Sequence, residues 1–202
     1  LIGTQNILDM VGLYGVKQFI FASSSSIYGN SSPTPFREDR VVDTSLNPYA
    51  MTKKIGESLC VKHHNKFNTS VTICRFFTVY GPKGRPDMAP YIFTRSILNG
   101  EKFFVFGDGT AKRDFTYIAD LVHGIMLAIE KEFSFEIFNI GSSSPVSINN
   151  FIRKIEKITG KKAKIEYAQR FLPEMRNTYA NIQKAENLLG YKPKMKIEDG
   201  LE

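Results

Sequence analysis

Tyr49 and Lys53 are the two residues of this chain whose types and spacing most directly suggest chemistry. Residues four positions apart share one face of a helix. A tyrosine phenol ordinarily has a pKa of about 10, too high for a base at neutral pH, but a neighbouring ammonium favours its ionised form. The pair is therefore a candidate general acid and base. Two unrelated surface residues on a helix are the alternative, since about one such pair is expected by chance in a chain of this composition.

Four serines, at positions 23–26, directly follow the apolar run at 17–22. Such a run predicts a buried strand that opens into a loop. Ligands of open α/β sheets bind at the carboxyl ends of the strands, where hydroxyl groups can bridge a phenol and a substrate hydroxyl. A serine-rich turn with no such role is the alternative.

Helical and strand patterns alternate along the chain, which predicts an α/β fold with a mainly parallel sheet. The predicted helices cover residues 4–14, 48–64, 91–98, 118–131 and 183–189, with one more starting after Ser147, and the predicted strands cover 17–22, 70–77, 102–106, 136–140 and 164–167. Asn47 is the predicted N-cap of the second helix and Pro48 its first residue, while Gly15, Gly100 and Gly190 are predicted helix stops.

Composition excludes several classes of protein. The chain has 202 residues, 42% of them hydrophobic, and only two cysteines, Cys60 and Cys74, which favours a reduced cytoplasmic protein over a disulfide-stabilised one. We expect no membrane association, because apolar runs are short. The net charge of +7 favours anionic partners, but the basic residues are not clustered, and the 161–164 stretch is interpreted as a solvated turn, so no nucleic-acid binding is expected. No metal site is expected either, because the histidines have no partners at metal spacing.

The sequence resembles the extended short-chain dehydrogenase/reductases, in particular the nucleotide-sugar 4-epimerases of the NAD-dependent epimerase/dehydratase family. The motifs that carry the resemblance are FASSSSIYG at 21–29, NPYAMTK at 47–53, RFFTVYGP at 75–82, FGDG at 106–109 with RDF at 113–115, and LGYKP at 189–193. They occur in the family's order over nearly the whole chain. RFFTVY followed by GRPDMA at 84–89 is similar to the UDP-glucuronate 4-epimerases, although Lys83 stands where that group usually has Trp.

The resemblance implies a partial Rossmann-type, doubly wound parallel sheet with a smaller α/β substrate-binding domain. Residues 1–80 and 115–146 would belong to the NAD-binding domain, and residues 81–114 and 147–202 to the nucleotide-sugar-binding domain. The Gly-x-x-Gly-x-x-Gly motif of the first strand–helix turn is not in this sequence, and residues 1–6 are similar to a helix about 100 residues into the family's enzymes. We therefore expect the chain alone to bind NAD poorly, to have little or no activity and to self-associate.

The resemblance implies catalytic roles for Tyr49, Lys53 and Ser24, and cofactor binding by Tyr49, Lys53 and Phe76. Tyr49 would remove the proton from the 4-hydroxyl of a UDP-sugar while a tightly bound NAD takes the C4 hydride and later returns it to the other face. Lys53 would hold the nicotinamide ribose and favour the phenolate. Ser24 would bridge Tyr49 and the substrate, and Phe76 would lie beside the nicotinamide.

Substrate contacts are implied on the nucleotide side of the sugar. Arg113 matches the arginine that pairs with the UDP pyrophosphate, which suits a guanidinium. Phe104 and Phe106 match residues beside the uracil, with core packing as the alternative. Asp87 and Met88 match a segment that approaches the diphosphate.

A uronate substrate would need donors for its carboxylate. Ser25, Ser26, Thr78 and Arg85 are the candidates, because hydroxyl groups and a cation suit an anion. Glu174 is the candidate for the uridine ribose, in a stretch that departs from the family's Gly-Asp pair.

Four other functions are alternatives for this sequence. A UDP-glucose or UDP-N-acetylglucosamine 4-epimerase would use the same chemistry. A sugar-nucleotide 4,6-dehydratase usually has Asp-Glu after the bridging hydroxyl residue, where Ser25 and Ser26 stand here. A non-catalytic sugar-nucleotide-binding module would not need Tyr49, Lys53 and Ser24, and a nucleic-acid binder would show a clustered basic face. A homodimer is the expected assembly.

Overall fold

The structure, a computed structural model, describes residues 1–40, 47–169 and 175–202. Its helices are α1 (Ile2–Leu13), α2 (Pro48–Phe67), α3 (Ala89–Asn99), α4 (Ile118–Glu130), α5 (Ile148–Thr159), α6 (Gln183–Leu189) and α7 (Ile197–Leu201). Its strands are β1 (Gln18–Ser24), β2 (Ser70–Phe76), β3 (Thr78–Tyr80), β4 (Lys102–Phe106), β5 (Lys112–Tyr117), β6 (Phe135–Ile140), β7 (Pro145–Ser147) and β8 (Lys164–Ala168). A short 3-10 helix, Ser25–Tyr28, follows β1.

The first sheet has the order β1-β2-β6, with all its strands parallel. Alternate residues of its strands enter two cores. Val71 and Ile73 of β2 pack with Cys60 of α2, whereas Cys74 packs with Leu121 of α4. Helices therefore cover both faces, and the predicted doubly wound α/β fold with a parallel sheet is confirmed.

Two smaller sheets complete the fold. Their strand orders are β3-β5-β7, in which β7 is antiparallel, and β4-β8, which is parallel. Aromatic side chains from both sheets and from α3 and α5 form their core, in which the Phe115 and Phe151 rings stack with centroids 4.2 Å apart. The division of the chain into two domains stays a prediction.

Local signals place the element that carries Tyr49 and Lys53. The Asn47 Oδ1 atom accepts a hydrogen bond from the Ala50 amide at 2.8 Å, as predicted for the N-cap of α2.

Gly100 and Gly190 follow α3 and α6 with φ of 68° and 76°, in the left-handed region that favours glycine as a helix stop. The other predicted helices and strands are confirmed to within a few residues at their ends.

Within the ranges that the structure describes, no helix is both long enough and apolar enough to cross a membrane.

Candidate active site

A cavity of about 560 Å³ opens at the carboxyl ends of β1 and β2. It brings together most of the predicted catalytic and substrate-binding residues. They are Ser24, Ser25, Ser26, Tyr49, Lys53, Phe76, Thr78, Arg85 and Met88. Segments far apart in the sequence meet here because parallel strands end at the same edge of their sheet.

Tyr49 and Lys53 lie on the first two turns of α2. The Lys53 Nζ atom donates a hydrogen bond to the Ala22 carbonyl at 2.8 Å and lies 5.8 Å from the centroid of the Tyr49 ring. The ammonium is thereby held at the end of β1, beside the phenol. Tyr49 is 54% exposed, so its ring is open to a ligand that enters the cavity.

The serine turn is ordered by its own hydroxyl groups. The Ser24 Oγ atom accepts a hydrogen bond from the Ser26 amide at 3.2 Å and donates one to the Ser26 Oγ atom at 3.1 Å. Ser24 thus caps the 3-10 helix that begins at Ser25, and Ser24 and Ser25 are both buried. The cap fixes the Ser24 hydroxyl at the wall of the cavity.

Arg85 and Asp87 form a two-pronged ion pair at the mouth of the cavity. Arg85 Nε and Nη2 donate to the two Asp87 carboxylate oxygens at 3.0 and 2.5 Å. This contact lowers the pKa of Asp87 and raises that of Arg85. Arg85 lines the cavity and Asp87 does not, and the substrate contact of Asp87 stays a prediction.

Lys83 is a lining residue to which the sequence comparison gave no role. It has a φ of 60°, unusual for a residue with a side chain, in the exposed loop between Gly81 and Gly84. With Lys53 and Arg85 it gives the cavity three cations, and the residues that the structure describes in the lining include no acidic side chain. The cavity therefore favours an anionic ligand.

Phe104 and Phe106 lie outside this cavity. Burial alternates along β4, so Phe103 and Val105 enter the core while Phe104 and Phe106 are 55% and 48% exposed. Core packing, the alternative interpretation of these two side chains, is therefore wrong. Their contact with a uracil stays a prediction.

Arg113 is held by backbone carbonyl groups outside the cavity. Arg113 Nη1 donates to the Lys112 and Arg176 carbonyls at 3.0 and 3.2 Å and does not line the cavity. Its pairing with a pyrophosphate stays a prediction, and Glu174 lies outside the described residues.

Among the described residues, no three His, Cys, Asp or Glu side chains lie close enough together to bind a metal ion.

Comparison with known proteins gives one family and several relatives. The model of the NAD dependent epimerase/dehydratase family matches residues 1–141. A UDP-glucuronate 4-epimerase of Thermodesulfobacterium geofontis is 44% identical over 201 residues, which cover 99% of this chain and 62% of that protein. An uncharacterised protein of Methanocaldococcus jannaschii is 45% identical over 204 residues, covering 99% of this chain and 61% of its own length.

A solved structure has the same fold. The UDP-glucuronic acid 4-epimerase from Bacillus cereus, in complex with UDP-glucuronic acid and NAD, superposes with a TM-score of 0.93 at 39% identity. The match covers 98% of this chain and 63% of that one. The chain thus spans about three fifths of the length of the relatives that it matches.

Proposed function

We propose, since this chain belongs to the NAD dependent epimerase/dehydratase family, that the protein inverts C4 of a UDP-sugar and interconverts UDP-glucuronate and UDP-galacturonate. The observation that carries the proposal is the cavity in which Tyr49, Lys53 and Ser24 meet. The same cavity contains Arg85 and Thr78, which supply a cation and a hydroxyl group for an anionic sugar. The two relatives named as 4-epimerases of glucuronate nucleotides support this choice of substrate.

The residues of the cavity fit NAD. Among the residues that the structure describes, the Lys53 ammonium donates one hydrogen bond, to the Ala22 carbonyl, and an ammonium has three protons to donate, which suits the hydroxyl groups of a ribose. The half-buried Phe76 ring offers an apolar surface to a planar ring at the end of β2. When bound, NAD would accept the hydride from C4 of the sugar and return it.

The side chains of this chain would manage the proton and the orientation of the sugar. The Tyr49 phenol oxygen would take the proton of the 4-hydroxyl and give it back after the hydride returns. Ser24 would bridge the phenol and the sugar hydroxyl. The cap that it forms with Ser26 fixes the position of its side chain for this role.

A pair of substitutions tests the choice of sugar. Arg85→Ala and Thr78→Ala should each raise the KM for UDP-glucuronate by about tenfold and leave that for UDP-glucose within about twofold, because only the uronate presents a carboxylate to these two donors. Arg153→Ala, which removes an exposed arginine on α5, is the matched control and should change neither constant. Equal effects on both sugars would contradict the assignment of these residues to the carboxylate.

The reaction itself is tested on Tyr49. Tyr49→Phe removes the acid–base group and keeps the ring, so we expect interconversion of UDP-glucuronate and UDP-galacturonate to be lost by a factor of at least about 100. The assay is chromatographic separation of the two nucleotide sugars. Retained turnover in this variant would rule out the proposed proton transfer.

A further inference from the structure

Three polar residues form a row across the first sheet, one residue before its carboxyl edge. Ser23 of β1, Arg75 of β2 and Asn139 of β6 are register partners. They are only 2%, 3% and 0% exposed. Ser24 and Phe76, the next residues along β1 and β2, line the candidate active site.

Glu57 joins this row to α2. It lies four residues after Lys53 and eight after Tyr49, so it continues the same face of the helix. Its Oε1 atom accepts hydrogen bonds from Ser23 Oγ at 2.5 Å and Arg75 Nε at 3.0 Å, and its Oε2 atom accepts one from Arg75 Nη2 at 2.8 Å. The buried carboxylate therefore binds one helix to two strands.

Tyr28 extends the connection to the serine turn. Arg75 Nη1 donates to the Tyr28 hydroxyl at 2.9 Å, and that hydroxyl donates to Asn139 Oδ1 at 2.8 Å. Burial raises the pKa of Tyr28 to about 12, so the hydroxyl keeps its proton at neutral pH. The 3-10 helix that Ser24 caps is thus fixed to the same arginine as α2.

Apolar packing alone would not define this arrangement. The apolar cluster that contains Cys60 and Phe21 holds α2 near the sheet, but the hydrophobic effect has no direction. A two-pronged guanidinium–carboxylate contact fixes both distance and angle. Because a buried ion pair often adds no more stability than apolar residues of the same size, stability does not account for the pair by itself.

We propose that Glu57 and Arg75 are positioning residues, which set the rotation and the axial position of α2 so that Tyr49 and Lys53 face Ser24. Neither residue lines the cavity, so they act through α2 and the serine turn. The inference rests on the proposed function for its kinetic consequence. The sequence signal for Glu57 is its spacing, four residues after Lys53 on the same face of α2.

The test replaces the whole pair in the full-length protein that contains this chain. In Glu57→Leu with Arg75→Met, no buried charge is left unpaired, so the protein should fold. We expect kcat for UDP-glucuronate to fall about tenfold while KM stays within about twofold, because a small misplacement of reacting groups slows the chemical step. Arg75→Lys keeps the charge but loses the two-pronged contact, and it should show the same split between kcat and KM.

Cys60→Ala is the matched control. It destabilises the packing of α2 one turn beyond Glu57 without touching the polar row, so its melting temperature should fall while its kcat stays within about twofold of the unaltered protein. If the paired variant or Arg75→Lys folds and also keeps kcat within that range, the positioning role is overturned.

Failure of the proposed function is separable from failure of this inference. If the unaltered protein interconverts no UDP-sugar, the proposed reaction is wrong, and hydrogen exchange of amides 49–57 then decides the positioning role. Faster exchange in the paired variant than in Cys60→Ala would support it, and equal exchange would overturn it.

Discussion

At the scale of single residues, the ion pair between Arg85 and Asp87 affects how tightly the cavity would bind an anion. Both side chains are largely exposed, at 73% and 62%, so water screens their attraction and the pair opens readily. A substrate carboxylate entering the cavity would therefore compete with Asp87 for the same guanidinium.

Removal of the competing charge should strengthen binding of a uronate. In Asp87→Asn we expect the KM for UDP-glucuronate to fall about threefold and that for UDP-glucose to stay unchanged, since only the former presents a carboxylate to Arg85. Initial rates over a range of both sugars measure this. Asp39→Asn breaks the comparable exposed pair with Arg37 and should leave both constants as they are. A higher KM for the uronate in Asp87→Asn would show that Asp87 aids binding.

Sequence could predict the members of the site but not their contacts. The motif order predicts that Tyr49, Lys53 and Ser24 lie in one site, because the carboxyl ends of parallel strands meet at one edge of their sheet. The pairing of Arg85 with Asp87 depends instead on the path of an irregular loop that contains Lys83 at a positive φ. No periodic pattern encodes such a path.

At the scale of elements, the closeness of α2 to β1 depends on a glycine. A Cβ atom at Gly56 would lie 2.4 Å from Cζ of the Phe21 ring, far inside contact distance. Any larger residue must displace the Phe21 ring or push α2 away from β1.

Gly56→Ala should therefore damage stability and chemistry together. We expect a loss of about 1–3 kcal/mol in the free energy of unfolding from overpacking, and a lower kcat because Tyr49 moves with the helix. Denaturant unfolding and initial rates measure the two effects. Gly3→Ala is the matched control in α1, because a Cβ atom there meets nothing within 4 Å. A neutral result at Gly56 would mean that the helix and strand adjust without loss.

The other end of α2 gives a pH dependence. His63 is buried, its Nε2 atom lies 3.2 Å from Thr69 Oγ1, and burial lowers its pKa from the ordinary 6.5. The unfolded chain thus binds more protons than the folded one just below pH 6.5, so stability falls as the pH drops through that window. The melting temperature should fall less between pH 7.5 and pH 5.5 in His63→Gln than in the unaltered protein. His123→Gln, at an exposed position of α4, should not reduce the fall.

The elements that the sequence analysis did not predict include short strands and one strand with a buried carboxylate. β3 and β7 have three residues each, too few for a period to appear. β5 carries Asp114 at its centre, a residue that argues against a buried strand. Asp114 is tolerated because its carboxylate accepts hydrogen bonds from the Ser142, Ser143 and Ala180 amides, which belong to distant segments that no local pattern reveals.

At the scale of the whole molecule, the core on one face of the first sheet is built from distant parts of the chain. Ile27 and Tyr28 pack in the same cluster as Ala180, Leu189 and Tyr191. The Tyr191 hydroxyl also donates to the Gly141 carbonyl at 3.0 Å.

The 202 residues alone are expected to bind NAD weakly. They span 61–62% of the length of the curated relatives, and the glycine-rich turn that holds the NAD pyrophosphate in this family is not among them. Calorimetric titration should give a Kd at least about 100-fold above that of the full-length gene product, since a pyrophosphate contributes several charge-assisted hydrogen bonds. Equal affinities would show that the residues around Lys53 and Phe76 suffice.

The shared core also has a consequence for synthesis. A ribosome releases residues in order. The apolar surface of Ile27 and Tyr28 therefore stays uncovered until residues 180–191 have left the exit tunnel. Nascent chains stalled before that point would expose this apolar surface to chaperones, whatever the propensities of the strands already made. Contacts of such large sequence separation also slow the final collapse.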